Sequence, residues 1–103
     1  MREKIKNTIL DIAKREGIKI DKIILCGSRA RGEASEDSDW DVLIVVERME
    51  GKARWEFAKK VRSELAKELI DIDVIVQELK YFEKRKMILS TISREAEKRG
   101  IVL

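Results

Sequence analysis

Two aspartates separated by one residue, Asp39 and Asp41, stand at the head of the most apolar stretch of the chain, WDVLIVV. Side chains alternate across a strand, so an Asp-x-Asp pair at a strand's start presents both carboxylates on one face. Two like charges that close either raise a pKa or demand a cation. The chain has no His and a single Cys. An oxygen-only ligand set of this kind suits a hard ion, Mg²⁺ or Mn²⁺. Asp71 and Asp73 repeat the spacing in IDIDVIV. If these two segments are neighbouring strands, three or four carboxylates converge. That many can hold two metal ions about 3.5–4 Å apart, the arrangement that serves in-line phosphoryl displacement.

A second constellation lies just upstream. Gly27-Ser28 follows the apolar run KIILC, with Arg29, Arg31 and Gly32 close behind. Glycine lets a backbone approach a ligand closely. Ser28 can cap the short turn that follows, leaving backbone N–H groups aimed outward, a geometry that binds phosphate. Gly-Ser after a strand is common in ordinary turns, and Asp-x-Asp alone is a weak signal. A phosphate-binding turn, a carboxylate pair on the next strand and a further acid on another strand make a far more specific combination.

These residues need a scaffold, and hydrophobic periodicity supplies one. Residues 2–16 predict a helix, with Ile5, Ile9 and Ile12 on one face and Gly17 as its stop. Residues 18–26 predict a strand, 29–38 a polar segment with room for one helical turn, and 40–46 the clearest strand. Residues 52–69 predict a helix with the stripe Trp55, Ala58, Val61, Leu65 and Leu69. A third strand is expected over 70–77. A last helix is expected over 81–99, burying Phe82, Met87, Ile88, Ile92 and Ala96, with 101–103 as a short strand or docking tail. The order predicts an α/β fold: a small mixed sheet of three to four strands flanked by helices, in a single domain over 1–103.

Composition narrows the function. With 103 residues and 44% hydrophobic content, the chain can build one modest core. Its apolar runs are too short for a membrane span of about 20 residues. The charged N-terminus has no signal-peptide core. Without His, a His-based triad and His-ligated zinc are excluded. A lone Cys26 points to a reducing, cytoplasmic setting and reads as a small core residue. Charged residues reach 42%, with one Asn and one Gln, a balance similar to that of thermophile proteins. The net charge of +3 is unevenly spread: residues 33–47 hold six acids and no base, residues 69–79 three acids and no base. Brought together, they would form a negative site within a basic surface. Trp40 alternates against the aspartates and should pack on the opposite sheet face. Trp55 reads as core, with a partner surface as its alternative, and Phe82 as structural. Tyr81 reads as structural too, with nucleobase stacking or modification as its functional alternatives.

Gly27-Ser28, ten intervening residues, then Asp39-Trp40-Asp41 is the Gly-Ser-x10-Asp-x-Asp signature of the DNA polymerase β-like nucleotidyltransferase superfamily. The string GSRARGEASEDSDWDVLIV resembles its small prokaryotic branch, the minimal nucleotidyltransferases that act as antitoxins. The resemblance covers residue 18 to the C-terminus and is compatible with the N-terminal helix.

The resemblance implies a polymerase β-like fold and roles for the matching positions. Asp39 and Asp41 would bind two Mg²⁺ or Mn²⁺ ions. A third carboxylate would complete the site and help deprotonate the attacking hydroxyl. Asp73 is preferred because it directly precedes Val74-Ile75-Val76, and Asp71 stays open. Gly27 and Ser28 would hold the triphosphate of ATP, aided by Arg29 or Arg31. The implied reaction is attack of an acceptor hydroxyl on the α-phosphate with release of pyrophosphate. Small members of this kind pair with a HEPN-domain toxin and transfer AMP to one of its tyrosines. Two rival readings stand beside this one: an antitoxin-like module that inhibits by contact without catalysis, and a nucleic-acid accessory protein using the basic surface. No aromatic interleaving favours nucleic acid, no membrane partner is expected, and a homo-oligomer stays open.

Overall fold

A computed structural model describes residues 1–27, 32, 40–85 and 100–103. Helix α1 (Arg2–Glu16) buries Ile5, Ile9, Ile12 and Ala13, the three-and-four spacing of one helical face. It stops at Gly17, whose φ of +69° an L side chain rarely adopts. The Gly17 N–H donates to the Lys14 carbonyl and the Ile18 N–H to that of Ala13. Ile18 therefore belongs to the helix stop, and strand β1 (Ile20–Cys26) begins two residues later than its periodicity predicts.

Strand β2 (Trp40–Val46) forms as expected and is central. Helix α2 (Gly51–Ala66) carries the chain over to strand β3 (Ile72–Glu78), which lies parallel to β2. Helix α3 (Leu79–Arg85) follows directly, and strand β4 (Ile101–Val102) pairs antiparallel with β1. Among the described residues the sheet order is β3-β2-β1-β4, with β1 and β2 antiparallel. The mixed four-strand sheet flanked by helices is the predicted architecture.

Each face of the sheet has its own core. Trp40, Val42, Ile44 and Val46 point to the face covered by α1 and α2, where they meet Ile5, Ile9, Phe57, Val61 and Leu65. Leu43 and Val45 point to the other face, with Ile24, Cys26, Leu79 and Phe82. Burial on both sides explains why β2 is a continuous apolar run rather than an alternating one. Cys26 and Trp40 are buried as expected, and Phe82 is fully buried.

Four further expectations about the chain are corrected. Helix α2 ends at Ala66 rather than 69, because Leu69 turns into the left-handed region (φ +61°) and stands 94% exposed. That turn delivers Ile70 to the core and delays β3 to Ile72, two residues past its predicted start. Trp55 is 60% exposed, and Phe57 takes the place assigned to it in the core. At 100° per residue Trp55 lies about a quarter turn from the centre of the face formed by Phe57, Ala58, Val61 and Leu65. The last helix begins at Leu79 rather than 81. Its predicted continuation, with Met87, Ile88, Ile92 and Ala96, lies outside the described residues. No described helix is long and apolar enough to cross a membrane.

Candidate active site

The parallel pairing of β2 and β3 sets Asp41 opposite Asp73. Residues paired across two strands share a sheet face, and neighbouring strands lie about 4.8 Å apart. The two aspartates therefore sit side by side in the sheet, at the same end of the face that carries Leu43, Val45 and Phe82. Asp41 is half-buried and Asp73 exposed, so the pair opens to solvent. Adjacent carboxylates repel, and a bound cation relieves that repulsion.

The antiparallel pairing of β1 and β2 brings in the third participant. Cys26 is the register partner of Asp41, which puts Gly27 at the rim of the same site. Gly27 has φ +71°, and a Cβ built there would lie 2.3 Å from Asp41 Oδ2. Real Cβ atoms do not come that close. The glycine expected to admit a ligand thus also admits the Asp41 carboxylate. Sequence reading missed this contact, because the offset between β1 and β2 depends on the connection between them.

Asp71 is held differently from Asp73. It precedes β3, and its carbonyl accepts the Trp40 N–H at 3.1 Å, so its backbone anchors the start of β2. Across the sheet it is Asp73, not Asp71, that pairs in register with Asp41. Asp39, Ser28, Arg29 and Arg31 lie outside the described residues. A groove of about 640 Å³ runs between α1 and α2 beside Ile12, Arg15 and Trp55. It lies on the sheet face opposite Asp41 and Asp73, and its acids Glu16, Glu56 and Glu64 are interspersed with Arg15, Lys59 and Lys60.

Comparison with known proteins agrees with this geometry. Residues 5–103 match the nucleotidyltransferase domain family. A Methanocaldococcus jannaschii protein named "Putative protein adenylyltransferase" is 32% identical over 99 residues, 96% of this chain and 94% of its own. One chain of a solved toxin–antitoxin structure with AMP-PNP superposes with a TM-score of 0.59 at 24% identity, covering 93% of this chain and 69% of that one. A chain from the complex of tri-AMPylated Shewanella oneidensis HEPN toxin with MNT antitoxin gives a TM-score of 0.57 at 20% identity, covering 99% and 71%. These two structures share the fold. With an acidic pair on adjacent parallel strands and a glycine rim beside it, the chain belongs to the nucleotidyltransferase domain family and is a nucleotidyltransferase.

Proposed function

We propose that this chain, acting as one domain over residues 1–103, transfers AMP from ATP to a hydroxyl of a protein partner. The observation that carries the reading is the register of Asp41 with Asp73, with Asp41 seated against Gly27. The acceptor oxygen forms a bond to the α-phosphorus, and the bond from that phosphorus to the bridging oxygen breaks. Pyrophosphate leaves with its electron pair, and the acceptor's proton passes to a carboxylate.

Asp73 is the proton acceptor in this reading, because it lies beside Asp41 and is open to solvent. Asp39, Asp41 and Asp73 would hold two Mg²⁺ or Mn²⁺ ions. The hard oxygen set fits such ions, and the glycine rim leaves Asp41 room beside the backbone. When bound, the ions offset the charge of the triphosphate. Gly27 and Ser28 would cradle the phosphates, with Arg29 or Arg31 neutralising them. Catalysis then rests on positioning and on charges fixed before the reaction.

The proposed acceptor is a tyrosine of a HEPN-type toxin, which gives the chain an antitoxin role. The similarity to an adenylyltransferase-named protein and to toxin–antitoxin folds supports this choice. The buried thiol of Cys26, in no disulfide, suits a cytoplasmic setting. The test is label transfer with Mg²⁺ or Mn²⁺, ATP labelled at the α-phosphate, and the protein encoded next to this one as acceptor. Stable α-label on the acceptor is expected, with none from γ-labelled ATP or from an Asp39→Asn, Asp41→Asn double variant. Tight acceptor binding by both proteins with no label transfer overturns the reading in favour of inhibition by contact.

A further inference from the structure

Strand β3 is an edge strand, and among the described residues nothing pairs with its outer side. Exposed edges are normally blunted by Lys, Pro, a bulge or brevity. This one is seven residues long, IDVIVQE, with no Lys and no Pro. It keeps unbroken register with β2 from Ile72 to Glu78. Large apolar side chains flank it on both sides. Ile75 is 40% exposed, Tyr81 of α3 is 45% exposed, and Trp55 of α2 is 60% exposed. They line one groove of about 540 Å³ along the edge. Both aromatic rings carry a cation, Lys59 over Trp55 at 5.2 Å and Arg85 over Tyr81 at 5.4 Å.

The backbone pattern of β3 says what can dock there. The Trp40 N–H bonds to the Asp71 carbonyl. In a parallel ladder, alternate residues face a given neighbour. The N–H and C=O groups of Ile72, Val74, Val76 and Glu78 therefore point outward. An antiparallel copy of the same strand centred on Ile75 sets Val74 against Val76 and Ile72 against Glu78. Every outward-facing residue then meets another in a hydrogen-bonded pair. Ile75 meets its own counterpart across the dyad in a non-hydrogen-bonded pair, where side chains come closest.

Charge agrees with this register. Asp73 falls opposite Gln77, Asp71 opposite Leu79 and Glu78 opposite Ile72, so no two carboxylates face each other. Residues 69–79 carry acids and no base, whereas Arg54 lines the groove and both of its aromatic rings carry a cation. The acidic strand of a second copy therefore enters a groove whose charged lining residue, Arg54, is basic. We propose that the β3 edge docks a second copy of this chain, antiparallel about Ile75, joining two sheets into one. This interface is isologous and does not depend on the nucleotidyl-transfer reading.

The test measures mass in solution and cross-linking on the whole chain. At concentrations up to about 0.1 mM, enough to capture dimers of micromolar affinity, light scattering should give twice the 12.0 kDa of one chain. Ile75→Lys places two like charges at the dyad, and Val76→Pro removes an outward N–H that β2 does not use. Each should weaken association at least tenfold while circular dichroism stays unchanged. Ile75→Cys should form an intermolecular disulfide on mild oxidation, since the paired Cα atoms would lie about 4.5 Å apart, within disulfide range. Leu69→Cys, more exposed but off the edge, should not. A single-chain mass for wild type, with no more cross-linking at position 75 than at 69, overturns the proposal. So does a single-chain wild type whose binding to the neighbouring gene's product is abolished by Ile75→Lys, which assigns the edge to that protein.

Discussion

Gly27 and Asp41 are packed so closely that a single added carbon at residue 27 would lie 2.3 Å from Asp41 Oδ2. This contact joins the end of β1 to the carboxylate on β2, and through the β2–β3 register to Asp73. Gly27→Ala must either push the Asp41 carboxylate aside or bend β1 away from β2. The left-handed backbone at φ +71° adds about 1–2 kcal/mol of strain. Misplacing a reacting group by about 1 Å costs on the order of 100-fold in rate. Gly27→Ala is therefore expected to lower kcat/KM for nucleotidyl transfer about 100-fold while the chain stays folded. Steady-state label transfer alongside a thermal melt checks both halves. Unchanged kcat/KM would show that the Asp41 position does not matter to the reaction.

The two aspartates before the apolar body of β3 differ in what they reach. Asp73 shares a register position with Asp41, whereas Asp71 gives its carbonyl to the Trp40 N–H, an interaction any residue can make. Asp73→Asn is expected to lower kcat by about 10²–10⁴-fold, the range for loss of a general base. Asp71→Asn should stay within about tenfold of wild type, because its backbone contact survives. Single-turnover rates on the two variants decide the matter. The reverse ranking would move the third carboxylate to Asp71.

Much of this arrangement was legible before the fold was known, and for physical reasons. Trp40–Val46 reads as a strand because burial on both faces leaves a continuous apolar run bounded by acids. Helix α1 reads from its isoleucine spacing and its closing glycine. Asp41 and Asp73 stand out because acids at the head of apolar strands are hard to explain as core. The junction from α2 to β3 was not legible. A leucine occupies the left-handed position that glycine marks after α1, so nothing in the sequence signals the stop. Trp55 misled because a large aromatic near an apolar stripe suggests core, whereas Phe57 occupies the face that meets the sheet. The Gly27–Asp41 contact depends on strand register, which residue spacing across residues 28–39 does not determine.

The proposed metal dependence rests on the chemistry of the acidic pair. Two adjacent carboxylates facing a triphosphate place like charges together, and divalent cations offset them. Dialysis against a chelator is expected to abolish label transfer, with recovery on adding Mg²⁺ or Mn²⁺. Asp41→Asn should raise the Mg²⁺ concentration needed for half-maximal rate by at least tenfold, on the scale of losing one charged ligand. Titrating the metal against initial rate measures the shift. Full activity in excess chelator would remove the metals from the proposed mechanism.

Leu69 offers a test of the fold that leaves the site untouched. The two long helices end by the same hydrogen-bond pattern. After α1 the N–H groups of Gly17 and Ile18 reach back to Lys14 and Ala13, and after α2 those of Leu69 and Ile70 reach back to Ala66 and Leu65. In both cases the following isoleucine packs onto the core, Ile70 at 4% exposure and Ile18 partly buried. The difference is the residue in the left-handed turn. Leucine at φ +61° bears a clash that glycine does not, worth about 1–2 kcal/mol. Its side chain, 94% exposed, contributes almost no burial in return. Glycine would add roughly 0.5–1 kcal/mol of backbone entropy to the unfolded chain. The balance favours Leu69→Gly by about 0.5–1 kcal/mol, which for a domain of this size raises Tm by roughly 2–8 °C. Calorimetry on the two proteins measures it directly. A lower Tm for the glycine variant would mean that leucine at this position contributes contacts beyond those of its exposed side chain.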